Sequence, residues 1–238
     1  MDDIFKLNIV TPLILSRVQN LYKIKKDIDD EIANSRFNIN WYIFFDYKEE
    51  LPALDLNYDY TTLVVSKFKG SFKGNLQRNI ALDIIKDGYI CFMDDDNKFL
   101  PTYFDTIYTY IKFYNPNYDI YIGNQGREDG SIYDTETFIN VCDENMKVGK
   151  VDGHQITFKR EILGDLRWNN SPAADGEFIE KLHSLYKDRF KYIKEPISYH
   201  NYLAIKEDKP KYLVYRFKVF LKKIIWKFRN FLNNLISK

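Results

Sequence analysis

The sequence predicts an α/β domain: a mixed, mainly parallel sheet between helices, followed by a C-terminal amphipathic helix. Three observations predict it. Short apolar, β-branched runs alternate with segments of helical spacing through the first half of the chain. These runs lead into polar or acidic residues, as strands that present a ligand-binding edge do. The chain has 238 residues, 45% of them apolar and 29% charged, so it can bury one large core and is not mainly disordered.

The elements follow in order. Leu7 to Thr11 (LNIVT) reads as a buried strand stopped by Pro12. Leu13, Leu15, Val18, Leu21, Ile24, Ile28 and Ile32 recur at helical spacing. Trp41 to Phe45 (WYIFF) is a second strand ending at Asp46, and Thr61 to Ser66 (TTLVVS) is a third. A helix pattern over 75–86 is broken by Gly88, and Tyr89 to Met93 (YICFM) is a fourth strand that runs into Asp94-Asp95-Asp96. Strands separated by helices imply parallel crossovers, which gather Thr11, Asp46, Ser66 and the three aspartates on one sheet edge.

The second half is less regular. Asp119 to Ile122 and Gln155 to Phe158 read as strands, Asp129-Gly130 as a turn, 175–187 as a helix and Tyr192 to His200 as an extended segment. The only break in composition lies near Lys206 to Pro210, which divides the chain into a domain over 1–205 and a helix over 206–238.

Charge narrows the function classes. Net charge is +1, but from Lys209 onward there are nine Lys or Arg and no acid, leaving 1–208 at −8. An acidic body argues against a nucleic-acid binder. No stretch reaches the ~18 apolar residues of a membrane span. The opening MDDIF carries acids where a secretion signal needs positive charge, so a cytoplasmic location is expected. Cys91 and Cys142 have no metal-type spacing and cannot staple a fold of this size, which fits a reducing compartment.

The triple aspartate is the sharpest chemical signal. Folding does not require three adjacent carboxylates after an apolar strand, and a hard divalent cation such as Mg²⁺ or Mn²⁺ would relieve their repulsion. The bland alternative is a solvated turn. Upstream, Lys73-Gly74-Asn75-Leu76-Gln77-Arg78-Asn79 puts a glycine and polar side chains at a helix start, where anions are favoured and Arg78 could grip a phosphate.

KGNLQRNIAL followed by YICFMDDDN resembles the inverting GT-A glycosyltransferases: the broad family 2, and more closely the β-1,3-glucuronyltransferase type. IVTP, WYIFFD, HQITFKREIL, ADGEFIEKL and YHNY fall in the same order, and the resemblance spans about residues 5–203. It implies a GT-A fold and transfer of a sugar from a nucleotide diphosphate, expected to be UDP-linked, with inversion. By the resemblance, Thr11 and Pro12 sit in the nucleotide pocket and Asp46 accepts from the base. Gln77, Arg78 and Asn79 line the diphosphate and neighbouring donor groups. Asp94 and Asp95 contact ribose and donor sugar, Asp96 holds Mn²⁺ or Mg²⁺, Asp175 is the catalytic base, and His200 approaches the diphosphate or metal.

Two departures matter. Leu13 and Ile14 stand where the family has an aromatic, and Asp175 aligns with a glutamate of the glucuronyltransferase type, so Glu177 is the fallback base. The glucuronic acid site is not recognisable. By sequence alone, the commoner use of such an Asp is as a helix N-cap, here before Phe178, Ile179 and Leu182, and the two roles are compatible. His154 and His183 carry no signal.

The tail from Lys211 places Leu213, Phe217, Phe220, Leu221, Ile224, Phe228, Phe231 and Leu235 on one stripe, with Lys and Arg off it. That pattern suits an anionic membrane surface, with the apolar stripe packing on the domain or on a second copy in a homodimer as the alternative. The expected partners are a nucleotide-sugar donor and a glycan or lipid-linked acceptor at the inner face of the plasma membrane, in bacterial surface polysaccharide synthesis. The rivals are a nucleotidyltransferase, for which TPLILSR lacks the Gly-rich basic loop, and a non-catalytic glycan-binding protein on the same fold.

Overall fold

The computed structural model describes residues 4–34, 36–46, 56, 58–66, 74–126 and 141–199. An eight-stranded mixed sheet runs in the order β3-β2-β1-β4-β7-β6-β8-β5. Its strands are β1 (Phe5–Leu13), β2 (Phe37–Asp46), β3 (Thr61–Ser66), β4 (Tyr89–Phe92), β5 (Lys98–Phe99), β6 (Ile120–Gly126), β7 (Ile156–Lys159) and β8 (Phe190–Tyr199). The helices are α1 (Val18–Asn34), α2 (Asn75–Ile84), α3 (Tyr103–Tyr114) and α4 (Ala174–Tyr186). This is the Rossmann-like GT-A arrangement that the sequence predicts.

The first four strands are parallel, whereas β7 runs antiparallel to both β4 and β6. Side chains of a strand alternate between faces, and that alternation builds two cores. Leu7, Ile9, Cys91 and Met93 point to the face covered by Leu21, Ile24 and Ile28 of α1 and by Phe104, Ile107 and Ile111 of α3. Val10, Ile90, Phe92, Ile156 and Phe158 point to the other face, under Ala81 and Leu82 of α2 and Phe178, Ile179 and Leu182 of α4. A strand buried on both faces reads as an unbroken apolar run, which is why YICFM and WYIFF were visible in the sequence. Cys91 is one of these core groups, and burial raises its thiol pKa to about 12. Among the described residues, no helix is long and apolar enough to cross a membrane.

Three expectations change. β1 does not stop at Pro12 but continues to Leu13, with Pro12 opposite Phe44. The reason is directional: Val10 accepts from Met93 N, so the even-numbered residues of β1 face β4, and β4 pairs with β1 only as far as Val10. Pro12 has no N–H to donate, and at its position no partner strand asks for one. Helix α3 and the short strand β5 are not in the sequence reading at all. The remaining boundaries move by a few residues: the stretch over 13–34 opens with a 3₁₀ turn, Leu15–Arg17, before α1. Asp129-Gly130, His200 and the tail from 206 lie outside the described residues.

One carboxylate on α1 sits in tension with its surroundings. Asp27 lies 3.9 Å from Lys98 Nζ, and its Oδ2 has no hydrogen-bond partner among the described residues. Burial raises its pKa to about 6, against the pull of Lys98. A carboxyl whose folded pKa exceeds its unfolded value contributes most when both states are protonated, and that contribution is lost as pH climbs through about 4 to 6. Asp27→Asn should therefore be more stable than wild type by about 1–2 kcal/mol at neutral pH. Urea titrations at several pH values should show the advantage vanishing near pH ~4.

Candidate active site

The carboxyl edge of the parallel strands collects the chemistry. β2 and β3 end side by side at Asp46 and Ser66, while β4 runs out through Met93 into the three aspartates. Beside that exit stands the N-terminus of α2. Its N-cap, Gly74, has φ +81°, and a Cβ there would lie 2.6 Å from Pro12 Cβ. Only glycine supplies both the left-handed turn and the close approach, so the first turn of α2 can abut the end of β1.

Arg78 is the centre of the site. It is 1% exposed, yet charged. Its Nη2 donates to Asp94 Oδ1 at 2.5 Å, Nη1 donates to Asn75 Oδ1 at 3.1 Å, and Nη1 lies 3.8 Å from Asp175 Oδ1. Burial opposes its charge, but Asp94, Asp175 and Asp152 together raise its pKa above the ordinary arginine value. Asp94 shows the converse: burial raises its pKa, and Arg78 pulls it back only in part. The side chains of Asp94 and Asp175 remain 26% and 24% exposed, so both can be reached from outside while their cation cannot.

Asp175 occupies the first turn of α4, where the helix dipole favours a carboxylate. It does not cap the helix: the N-cap is Ala173, with no side-chain hydrogen bond. Its Oδ1 instead accepts from Trp168 Nε1 at 3.0 Å. Glu177, two residues on, accepts from Asn169 Nδ2 at 3.0 Å and takes no part in the Arg78 cluster.

The other aspartates divide differently from the sequence expectation. Asp95 is 2% exposed and turned inward. Its Oδ2 accepts from Ile14 N at 2.6 Å, its Oδ1 from Arg17 Nη1 at 2.9 Å, and its carbonyl from Asn20 Nδ2 at 2.9 Å. Burial raises its pKa to about 6 against those donors. Asp95 thus ties the exit of β1 and the start of α1 to the strand end, rather than facing a donor sugar. Asp96 Oδ2 accepts from the same Arg17 Nη1 at 2.8 Å.

Several other predicted positions lie one layer below the edge. Thr11 is fully buried, its Oγ1 accepting from Trp41 Nε1 at 3.0 Å, so its hydroxyl serves the core rather than a nucleotide pocket. Asn79 is committed to the main chain of Trp168: Trp168 N donates to its Oδ1 at 2.8 Å, and its Nδ2 donates to Trp168 O at 2.9 Å. Gln77 is buried on α2, and Pro12 abuts Gly74.

The sequence reading passed over Asp152 and His154. His154 lies in a 3₁₀ turn, Gly153–Gln155, that leads into β7; Asp152 is its N-cap and forms a capping box with Gln155. The signal was present as Asp-x-x-Gln before an apolar strand. His154 is 2% exposed, with Nδ1 3.1 Å from Asp152 Oδ1. Burial lowers its pKa, but Asp152, Asp94 and Asp175 outweigh that and leave it raised. A Cβ on Gly153 would sit 3.0 Å from Asp175 Oδ1, so the turn packs directly against the base candidate. Among the described residues, no three His, Cys, Asp or Glu groups are arranged to hold a metal ion.

The chain is similar to solved structures of S. aureus TarS. The 1–349 fragment bound to UDP superposes with a TM-score of 0.62 at 13% identity, over 82% of this chain and 60% of that one. The fragment bound to UDP-GlcNAc gives 0.59 at 13% identity, over 82% and 58%. A further structure of S. aureus TarS gives 0.59 at 13% identity, over 82% of this chain and 36% of that one. The chain therefore spans about 60% of the fragment it matches, and at this identity the likeness is one of fold. No protein-family model matches the chain, and neither does any curated protein sequence.

Removing one member of a buried ion cluster leaves the others uncompensated. Arg78→Met should lower unfolding stability by about 3 kcal/mol at neutral pH. The loss should shrink in acid, because burial raises the pKa of Asp94 and, without Arg78, it can shed its charge by taking up a proton. Guanidinium melts at two pH values measure both effects.

Proposed function

We propose that this protein is an inverting glycosyltransferase that moves a sugar from a UDP-linked donor to a hydroxyl of a glycan or lipid-linked glycan. One observation carries the reading. Two partly exposed carboxylates, Asp94 and Asp175, flank a fully buried arginine at the carboxyl edge of a GT-A sheet. The fold it shares with TarS, whose structures hold UDP and UDP-GlcNAc, supports a nucleotide-sugar donor. The broad glycosyltransferase class is what we propose; the β-1,3-glucuronyltransferase type gains no support from these neighbours.

The residues divide the chemistry between them. Transfer forms a bond from the acceptor oxygen to the anomeric carbon as the bond from that carbon to the diphosphate breaks. Asp175 takes the acceptor proton, and the diphosphate departs with the electron pair of the broken bond. No enzyme nucleophile is required for inversion. Arg78 lets the carboxylates of Asp94 and Asp175 stand side by side, which two like charges would otherwise resist. The placement of Asp175 beside Arg78, and of Glu177 away from it, favours Asp175 as the base.

A hard divalent ion takes carboxylate oxygen as ligand. Asp96 is the residue that would hold it, through a carboxylate that here accepts from Arg17. When bound, such an ion offsets negative charge on the leaving diphosphate. We also assign Asp46 to the nucleotide base, His200 to the diphosphate or metal, and the basic tail to an anionic membrane surface.

A thermal-shift panel of nucleotide sugars, with and without Mn²⁺, tests donor binding directly. A ligand at about 100 times its Kd adds roughly 2.7 kcal/mol to the native state, so the correct nucleotide should raise Tm. Asp175→Asn should keep that shift and cut kcat by roughly 10²–10⁴-fold, whereas Glu177→Gln should change kcat little. Equal loss from both variants would move the base elsewhere. Asp96→Ala should abolish the Mn²⁺-dependent part of the shift, and an unchanged Mn²⁺ effect would take Asp96 out of the metal site.

A further inference from the structure

Asp175 is anchored through one oxygen. Oδ1 accepts from Trp168 Nε1 at 3.0 Å, and no described residue hydrogen-bonds Oδ2. Arg78 Nη1 stands 3.8 Å from the same Oδ1, close enough to attract it and too far to hydrogen-bond it. A carboxylate on two rotatable bonds would be drawn onto that guanidinium unless something held it back. The indole N–H does so from one side, and Gly153 limits the space on another, with a Cβ there falling 3.0 Å from Oδ1.

The indole is itself held rigidly. Its ring stacks on Phe178 at 3.4 Å and 10°, and meets Phe92 edge-on at 4.6 Å and 69°. Phe178 lies one turn beyond Asp175 on α4, and Phe92 is the last residue of β4 before the aspartates. The Trp168 main chain is gripped at both its N–H and its carbonyl by Asn79. One turn earlier on α2, Asn75 Nδ2 holds Ser171 O at 3.1 Å, so two asparagines clamp the segment that leads into α4. A solely structural Trp168 needs the ring stack, the main-chain grip and some acceptor for its buried N–H; here that acceptor is a partly exposed carboxylate at the sheet edge.

The geometry points to Trp168 and Asn79 as positioning residues for the base. Asn79 fixes the Trp168 main chain, the indole fixes Asp175 Oδ1, and Oδ2 is the oxygen that takes the acceptor proton. The inference rests on the glycosyltransferase reading and goes beyond it by naming the acting oxygen and the residues that present it.

Trp168→Phe tests it in the full chain, because phenylalanine keeps an aromatic ring against Phe178 and removes the indole donor, at the cost of some ring volume. Donor KM should stay within about twofold while kcat falls roughly 10–100-fold, the usual cost of losing an orienting partner one step from the chemistry. Asn79→Ala should act in the same direction. In an Asp175→Asn background, Trp168→Phe should cost nothing more, since the group it positions is gone. A readout independent of turnover is the Trp168 indole N–H resonance, assigned by its loss in Trp168→Phe, which should move in Asp175→Asn with the fold intact.

Full kcat in Trp168→Phe, an unmoved indole resonance, or an undiminished effect in the Asp175→Asn background overturns the proposal. A wild-type chain that moves no sugar from any nucleotide donor overturns the glycosyltransferase reading, and the catalytic part of this one falls with it.

Discussion

A guanidinium that water cannot reach organises this molecule. Arg78 can stay charged at 1% exposure only if carboxylates gather around it, and each one it gathers comes from a different part of the chain. Asp94 arrives from the end of β4, Asp175 from the first turn of α4 and Asp152 from the turn before β7. Arginine suits this task better than lysine, because its planar fork can face several acceptors at once without losing its proton. Packing would allow many placements of α4 over the second core; the charge cluster narrows them.

Five acidic side chains crowd this edge, and their surroundings give them different work. Asp95 spends both carboxylate oxygens on Ile14 N–H and Arg17 and becomes part of the framework. Asp96 shares the Arg17 guanidinium. Asp94 and Asp175 each use one oxygen on the interior and remain partly exposed, while Asp152 is occupied with His154 and the capping box. Burial and the identity of the donor, not the residue type, separate the framework carboxylates from those available to a ligand.

Much of the parallel half of the sheet was legible in the sequence because strands buried on both faces must be continuously apolar. Helix α3 was not, since YFDTIYTYIKFY is rich in aromatic and β-branched residues that read equally well as strand. Only the packing of Phe104, Ile107 and Ile111 against the sheet selects the helix. At the site, the aspartates and Arg78 could be found because charge after an apolar strand is conspicuous. The partners of Asn79 and Thr11 could not, because a buried amide and a buried hydroxyl look the same in sequence whether they meet a ligand, an indole or a main chain. His154 was overlooked for a related reason: Asp-x-x-Gln marks the turn, but nothing ties its histidine to the site until Gly153 is seen against Asp175.

The position of β7 bears on how the chain reaches this state. Strands β1 to β4 form a parallel unit from the first part of the sequence, and among the described residues β6, β8 and β5 join it in the sheet only through the four residues Ile156–Lys159. β7 is therefore the seam of the sheet, paired with Tyr89 to Cys91 on one side and with Ile120 to Ile122 on the other. Closing that seam brings together strands far apart in sequence, an entropic cost met before its contacts repay it. Until it closes, the buried edges of β4 and β6 both lie open to the wrong strand or the wrong molecule. Arg78 meets Asp152 and Asp175 through elements on the far side of β4, so the site and the seam depend on the same long-range pairing.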